Sequence, residues 1–150
     1  MRALAVALVI SAVTFILAPT VLGQASAVAN ARTQLTTAIF HSGELAQRGT
    51  AVAGTQLHLR HVINCLEGDK GPNFNTAAGY PCQGQGNGIM NDLRASVAAG
   101  AAGSEAALRF ADVALKLALQ AVAFTDVNAS QPWAIVISRQ LTTARDALGR

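Results

Sequence analysis

Apolar residues recur at helical spacing along most of the chain. The first run lies between residues 28 and 49 and contains Val28, Leu35, Ile39 and Leu45. A second run, AVAGTQLHLRHVINCLEG, begins near Thr50 and contains Val52, Leu59, Val62, Ile63 and Leu66. Residues three, four and seven apart share one face of an α-helix, so both runs predict helices. The turn between them is short, which predicts an antiparallel pair.

The helical spacing disappears between Gly68 and Gly88. The sequence there, GDKGPNFNTAAGYPCQGQGNG, is rich in glycine, proline and asparagine, which are turn-forming residues. It predicts a long loop, and a loop of this length within a compact domain is usually either functional or disordered. Cys82 lies inside it and favours an ordered loop.

Helical spacing returns at Ile89 and continues to about Phe124, which predicts one long third helix with possible kinks at Gly100 and Gly103. A fourth helix is predicted after a cap at Asn128 or Ser130, with Pro132 in its first turn. Its apolar row is Trp133, Val136, Ile137, Leu141, Ala144 and Leu148. We therefore predict an all-α fold, a four-helix bundle with a long loop between helices 2 and 3.

The N-terminal segment MRALAVALVISAVTFILAPTVLGQASA has the pattern of an export signal. Arg2 provides a positive end, the following run to Leu17 is free of charge, and Ala25-Ser26-Ala27 is a small-x-small cleavage site. Cleavage after Ala27 is our expectation, with Ala29 and Ala31 as alternatives. The segment to Leu22 is also about long enough to cross a ~30 Å hydrocarbon core, so an uncleaved membrane anchor is the competing interpretation.

Both interpretations divide the chain into a leader, residues 1–27, and a helical bundle domain, residues 28–150. Both also place the domain outside the cytoplasm, in the periplasm or secreted, and an uncleaved leader would tether it to the inner membrane. In an oxidising compartment, Cys65 and Cys82 are expected to form a disulfide. It would close a loop of about 17 residues, which corresponds to about 3 kcal/mol of stability in the chain-entropy model.

Composition excludes several classes of function. The 150 residues are 51% hydrophobic and 13% charged, and the net charge is +3. The basic residues are scattered rather than clustered with aromatics, so we expect no nucleic-acid partner. The chain has no serine nucleophile motif, phosphate loop or dinucleotide fingerprint, and we therefore favour a non-enzymatic function without catalytic residues.

The three histidines fall on the first two predicted helices. His41 and His58 are equally far along the chain from the predicted turn, so an antiparallel pair brings them to the same height. His58 and His61 are three residues apart and share a face. Glu44 follows His41 at the same spacing, and Asn64 follows His61 in the same way.

Imidazole is a common ligand of Zn, Cu and Fe, and helical bundles place such sites between facing helices. We therefore predict a metal site formed by His41, His58 and His61, with Glu44 and Asn64 as further ligands or as partners of the imidazoles. The cofactor would be a transition metal, Cu, Zn or Fe, or a haem. The alternative to a metal site is that the three histidines only form hydrogen bonds.

Two functions are consistent with these patterns. The first is an exported metal- or haem-binding bundle that serves sequestration, delivery or electron transfer. The second is an accessory or structural subunit without cofactor, held by its leader at a membrane and bound to an envelope or membrane protein. In that second case the histidines and the long loop would form a protein interface.

One segment resembles a known pattern. HLRHVINCLEG, followed by CQGQGNGIMNDL, is similar to small exported bacterial helical proteins that carry H-x-x-H-V-x-N-x-x-x-G and then a glycine-rich loop before another helix. The resemblance covers about residues 56–93 and marks His58, His61, Asn64 and Gly68. It implies a helical, exported protein, and it implies no role for His41 or Glu44.

Overall fold

The computed structural model describes residues 19–149 of the chain, and these residues form helices without β-strands. The helices are α1 (Pro19–Phe40), α2 (Val52–Glu67), α3 (Ile89–Ala98), α4 (Ser104–Ala121) and α5 (Val127–Ala147). A π-helical segment, His41–Ala46, directly follows α1, and a 3-10 turn, Thr76–Ala78, lies within the long loop. The all-helical class is confirmed, but the described residues form five α-helices where the sequence predicted four.

The leader prediction falls mostly outside the described residues. Residues 1–18 are not described, and residues 19–27 form the first turns of α1, continuous with the helix predicted from Val28. Among the described residues, no helix has both the length and the hydropathy of a membrane span.

Both of the first two predicted runs are helical, but α1 begins at Pro19 instead of Val28 and gives way to the π-helical segment after Phe40. α1 buries Ala31, Leu35 and Ala38, and α2 buries Leu59 and Val62 in the same core. α2 ends where Gly68 adopts a left-handed φ of 78°, which a residue with a Cβ rarely tolerates. The predicted second helix and its glycine stop are therefore confirmed.

The loop between α2 and α3 is tied to the helices by a covalent bond and by a buried carboxylate. Cys65 of α2 forms the predicted disulfide with Cys82, with 5.3 Å between the Cα atoms. The Glu67 carboxylate, only 8% exposed, accepts hydrogen bonds from the backbone N–H and the side-chain amide of Asn73, both at 2.7 Å. The loop is therefore fixed near its start and near its middle.

A second buried carboxylate fixes the end of the same loop. Asp92 of α3 accepts hydrogen bonds from the Asn87 backbone N–H at 3.0 Å and from its side-chain amide at 3.1 Å. Gln34 of α1 donates to Asp92 at 2.6 Å and accepts the Gly88 N–H at 3.0 Å. Because buried polar groups are costly unless they are paired, this network holds the loop against α1 and α3.

The predicted long third helix is wrong, because the chain breaks it in two. α3 ends at Ala98, and α4 begins at Ser104. Gly100 and Gly103 have φ values of 72° and 75°, which end one helix and begin the next instead of kinking a continuous one. A Cβ on Gly103 would collide with the Ala147 carbonyl, so this glycine also lets α4 approach the end of α5.

α4 and α5 pack closely because their buried positions are mostly small. The buried row of α4 is Ser104, Ala107, Ala111, Ala114, Ala118 and Ala121, and that of α5 is Ser130, Ala134, Ile137, Leu141 and Ala144. Both rows alternate steps of three and four residues, which is the spacing of a helix–helix seam. Small side chains allow the two helix axes to lie near the short end of the usual 8–10 Å range.

The start of α5 differs from the prediction. Asp126 caps the helix by accepting the Asn128 N–H at 2.9 Å, so neither Asn128 nor Ser130 is the cap. Pro132 lies in the second turn, not the first. Val136, predicted in the apolar row, is 41% exposed, because the buried side of α5 follows the row that contains Ile137.

Candidate metal centre

The structure brings the three histidines together. His41 Nδ1 lies 3.2 Å from His58 Nδ1 and 3.1 Å from His61 Nδ1. One ligand atom from each of the three rings lies within 4.8 Å of the other two, and each residue is half-buried. The predicted register of the two helices is therefore confirmed at this point, and the cluster can hold a metal ion.

The π-helical segment that begins at His41 was not predicted. A π-helix has an extra residue in each turn, and single π-helical turns occur frequently at functional sites. Ser42 is buried there, and its Oγ donates hydrogen bonds to the Ala38 carbonyl at 2.9 Å and the Ile39 carbonyl at 3.2 Å. No hydrophobic pattern distinguishes this turn from an ordinary helix, so periodicity alone could not have shown it.

The second nitrogen of His61 is fixed by the loop. His61 Nε2 lies 2.5 Å from the Ala78 carbonyl oxygen, which can only accept a hydrogen bond. Nε2 therefore carries a proton, and in the neutral ring the lone pair is on Nδ1, which points at His41. A backbone carbonyl on the far nitrogen is a common way to fix the tautomer of a metal-binding histidine. No pattern in the sequence indicates this contact with Ala78.

The environment keeps two of the histidines neutral. Burial lowers the pKa of His41 from 6.5 to about 4, with smaller contributions from repulsion by His61 and His58. Burial and repulsion by His61 lower the pKa of His58 as well. A metal ion binds the neutral imidazole, so at neutral pH it would not have to displace protons from these two rings.

Asn64 is buried but does not point its amide into the cluster. Its Nδ2 donates to the carbonyls of Asn75 at 2.8 Å and Gly79 at 2.6 Å, and its Oδ1 accepts the Asn75 N–H at 2.8 Å. Both ends of the amide are therefore engaged by the loop. Asn64 holds the segment on either side of Ala78, whose carbonyl contacts His61.

Glu44 also lies outside the cluster. Its carboxylate forms an ion pair with Arg48 at 3.0 Å, one helical turn further along, and its side chain is 50% exposed. The irregular helical turn that begins at His41 separates the two residues, so the three-residue spacing does not bring Glu44 among the rings. Of the five predicted site residues, the structure brings together the three histidines.

Comparison of the chain with protein-family models, with curated proteins and with solved structures gives no match. The fold and the cluster define the class: an all-helical, disulfide-containing protein with three close histidines that can hold a metal ion. The disulfide is compatible with an oxidising, extracytoplasmic location.

Proposed function

We propose that the protein is an exported, non-enzymatic metal-binding protein whose His41, His58 and His61 bind one transition-metal cation. The observation that carries this proposal is the convergence of three imidazole nitrogens within 4.8 Å. Imidazole favours Zn, Cu, Fe and Ni over the hard cations Mg and Ca, which take oxygen ligands. Sequestration or delivery of such a metal is the role that a site without a catalytic group supports.

The spacing of the nitrogens supports a single ion. Zn–N bonds of about 2.0–2.1 Å place the nitrogens of a tetrahedral site about 3.3 Å apart. The His41–His58 and His41–His61 separations of 3.2 and 3.1 Å are close to that value. The ligand atoms of the third pair, His58 and His61, lie within 4.8 Å of each other. Three protein ligands would leave one position of the tetrahedron open.

The same spacing argues against haem. A haem is a broad planar ring that must lie between its two axial ligands or against one of them. The His41 and His61 rings are in edge-to-face contact, with 4.6 Å between their centroids, and the His58 and His61 centroids are 5.3 Å apart. No macrocycle fits between two of these rings as its axial ligands, and a haem on one ring would leave the convergence of the other two unused, so we propose an ion as the ligand.

Metal titration of the purified full chain tests this function. We expect one equivalent of Zn²⁺ or Cu²⁺ to bind in a competition assay with a chromophoric chelator, and to raise the melting temperature. His41→Ala, His58→Ala and His61→Ala should each weaken binding by at least about tenfold, a loss that even the partners of metal ligands produce. Glu44→Gln is the matched control, since Glu44 lies one turn from His41 but pairs with Arg48.

The triple His→Ala variant tests whether the three histidines form the metal site. The chain contains three histidines in all, so this variant has no imidazole left. If it binds both metals as tightly as the wild type, the proposed site does not exist.

One observation favours the second candidate function, an accessory subunit without cofactor. Phe40 and Leu57 are 53% and 40% exposed, and each directly precedes a histidine of the cluster. Leu57 also borders a groove with Asn75, Ala77 and Ala78 of the loop, and a contiguous exposed apolar patch marks a surface that binds another protein. For this function we expect protein isolated from its native envelope to contain no metal, to retain residues 1–27 in its intact mass, and to copurify with a membrane protein.

A further inference from the structure

α4 has a second apolar row in addition to its buried one. Ala106, Phe110, Val113 and Leu117 follow one another at steps of four, three and four residues, so they share one side of the helix. Val113 is 41% exposed, Ala106 is also exposed, and Phe110 and Leu117 are only partly covered by the core. The row borders a cavity of about 670 Å³ against α5 that also contacts Glu105, Arg109 and Gln140.

A row of charges runs beside this apolar row. Glu105, Arg109, Asp112 and Lys116 also follow one another at steps of four, three and four, with alternating sign. A two-fold rotation about a point between Phe110 and Ala111 reverses the direction of the row. Each charge then lies opposite a charge of the other sign. Glu105 then takes the place of Lys116, and Arg109 takes the place of Asp112.

We propose that α4 pairs antiparallel with the α4 of a second copy of this chain, around a two-fold axis near Phe110 and Ala111. A two-fold interface places the same patch of both copies face to face, so it requires a patch that complements itself. In this arrangement Arg109 faces the partner's Asp112, Glu105 faces the partner's Lys116, and the two apolar rows cover each other. The midpoint of the apolar row lies one residue further along, so in this register its facing residues are offset by two positions, about 3 Å, which is less than one helical turn of 5.4 Å.

The patch has the size of a small dimer interface. α4 contains 18 residues and is about 27 Å long, and α5 lies beside it at a usual separation of about 8–10 Å. The two-helix surface is therefore about 27 by 20 Å, or about 540 Å² on each copy, which is less than the roughly 800 Å² per partner of a standard interface and corresponds to a weak, reversible dimer.

The charged side chains of this row can exchange their partners within one copy for partners in the second copy. Within one copy, Arg109 pairs with Glu105 and Lys116 pairs with Asp112 across one turn. Arg109 and Lys116 are 77% and 69% exposed, and such pairs add little to the stability of the monomer. Replacing these ion pairs with pairs between two copies therefore costs each monomer little stability. The pairs between copies set the orientation of the two helices.

Sedimentation equilibrium of the full chain tests the interface over about 1–100 µM, the range in which modest interfaces dissociate. We expect a monomer–dimer equilibrium that weakens with added salt. Val113→Asp should raise the dissociation constant at least tenfold. Leu57→Asp is the control, because Leu57 is equally exposed at 40% but lies on α2, and it should leave the dissociation constant unchanged.

A charge exchange tests the orientation. Arg109→Asp and Asp112→Arg should each weaken the dimer at least tenfold, and the double variant should restore it to within about threefold. Inside one copy the double variant still places a carboxylate beside Glu105 and a guanidinium beside Lys116, so rescue of association must arise between copies. A full chain that is monomeric at every concentration would overturn the proposal, whatever else covers the patch. The proposal would also be overturned by a dimer whose dissociation constant is unchanged by Val113→Asp and by the charge exchange.

Discussion

Replacing Asn64 with aspartate distinguishes a residue that holds the loop from one that binds a metal. The two side chains have the same shape, but the carboxylate lacks the N–H groups that contact the carbonyls of Asn75 and Gly79 at 2.8 and 2.6 Å. Asn64 is fully buried, so no water replaces these donors. A carboxylate at a metal site would instead be a ligand at least as good as an amide.

The magnitude follows from the contacts. Two backbone carbonyls lose their partners, and a buried unsatisfied group costs about 1–3 kcal/mol, so Asn64→Asp should lower the free energy of unfolding by about 4 kcal/mol. For a domain of this size, 1 kcal/mol corresponds to roughly 2–4 °C, so the melting temperature should fall by roughly 12 °C. Burial raises the pKa of the introduced carboxyl group in the folded state, so the deficit relative to wild type should shrink as the pH falls towards 4, about the unfolded pKa.

The assay is thermal and urea denaturation followed by circular dichroism, combined with metal titration of the same samples. Gln120→Glu is the control, because it also replaces an amide with a carboxylate of the same shape but at an exposed position of α4, where it should change stability by less than about 0.5 kcal/mol. We expect Asn64→Asp also to weaken metal binding, since displacement of the loop moves the Ala78 carbonyl away from His61. A variant with wild-type stability and tighter metal binding would refute this reasoning and would make Asn64 a ligand.

Three further predictions concern the same region. The pKa of His41 falls from 6.5 to about 4 on folding, so its contribution to stability should be complete above pH 6.5 and should decline as the pH falls to about 4; after allowance for solvent screening this loss is about 1–2 kcal/mol. Parallel urea titrations across this range should show a smaller loss for His41→Ala, in which the lowered pKa of His58 remains. Cys65→Ser with Cys82→Ser should lower the free energy of unfolding by about 3 kcal/mol, and an unchanged urea midpoint would show that the hydrogen bonds alone fix the loop. Glu44→Ala should change stability by less than about 0.5 kcal/mol, because its partner Arg48 is 75% exposed, and a tenfold loss of metal affinity in a calorimetric titration would contradict its placement outside the cluster.

The meeting of His41 and His58 could be predicted because it depends on simple geometry. Two antiparallel helices joined by a short turn bring residues at equal distances from the turn to the same height. The spacing of three residues then places His61 beside His58, since the α-helix has 3.6 residues per turn. The same regularity predicted the second helix, whereas its stop at Gly68 followed from the residue type and the disulfide followed from a pair of cysteines in an oxidising compartment.

The roles of Glu44 and Asn64 could not be predicted in this way. Spacing places Glu44 near His41 only if the helix is regular, and the π-helical segment from His41 to Ala46 changes the direction of the side chains that follow. Asn64 does lie near the cluster, but its amide is taken by backbone groups of the loop. Hydrogen-bond partners far apart in sequence leave no periodic pattern.

By itself, the sequence determined which segments are helical, which cysteines pair, and which histidines come to one height, because these depend on local spacing and on chain connectivity. Tertiary structure decided that Gly100 and Gly103 separate two helices, and Gly103 packs there against the Ala147 carbonyl with no room for a Cβ. It also decided that a loop carbonyl fixes the tautomer of His61. That contact depends on buried hydrogen bonds to a folded loop, and such bonds exist only after the helices have packed.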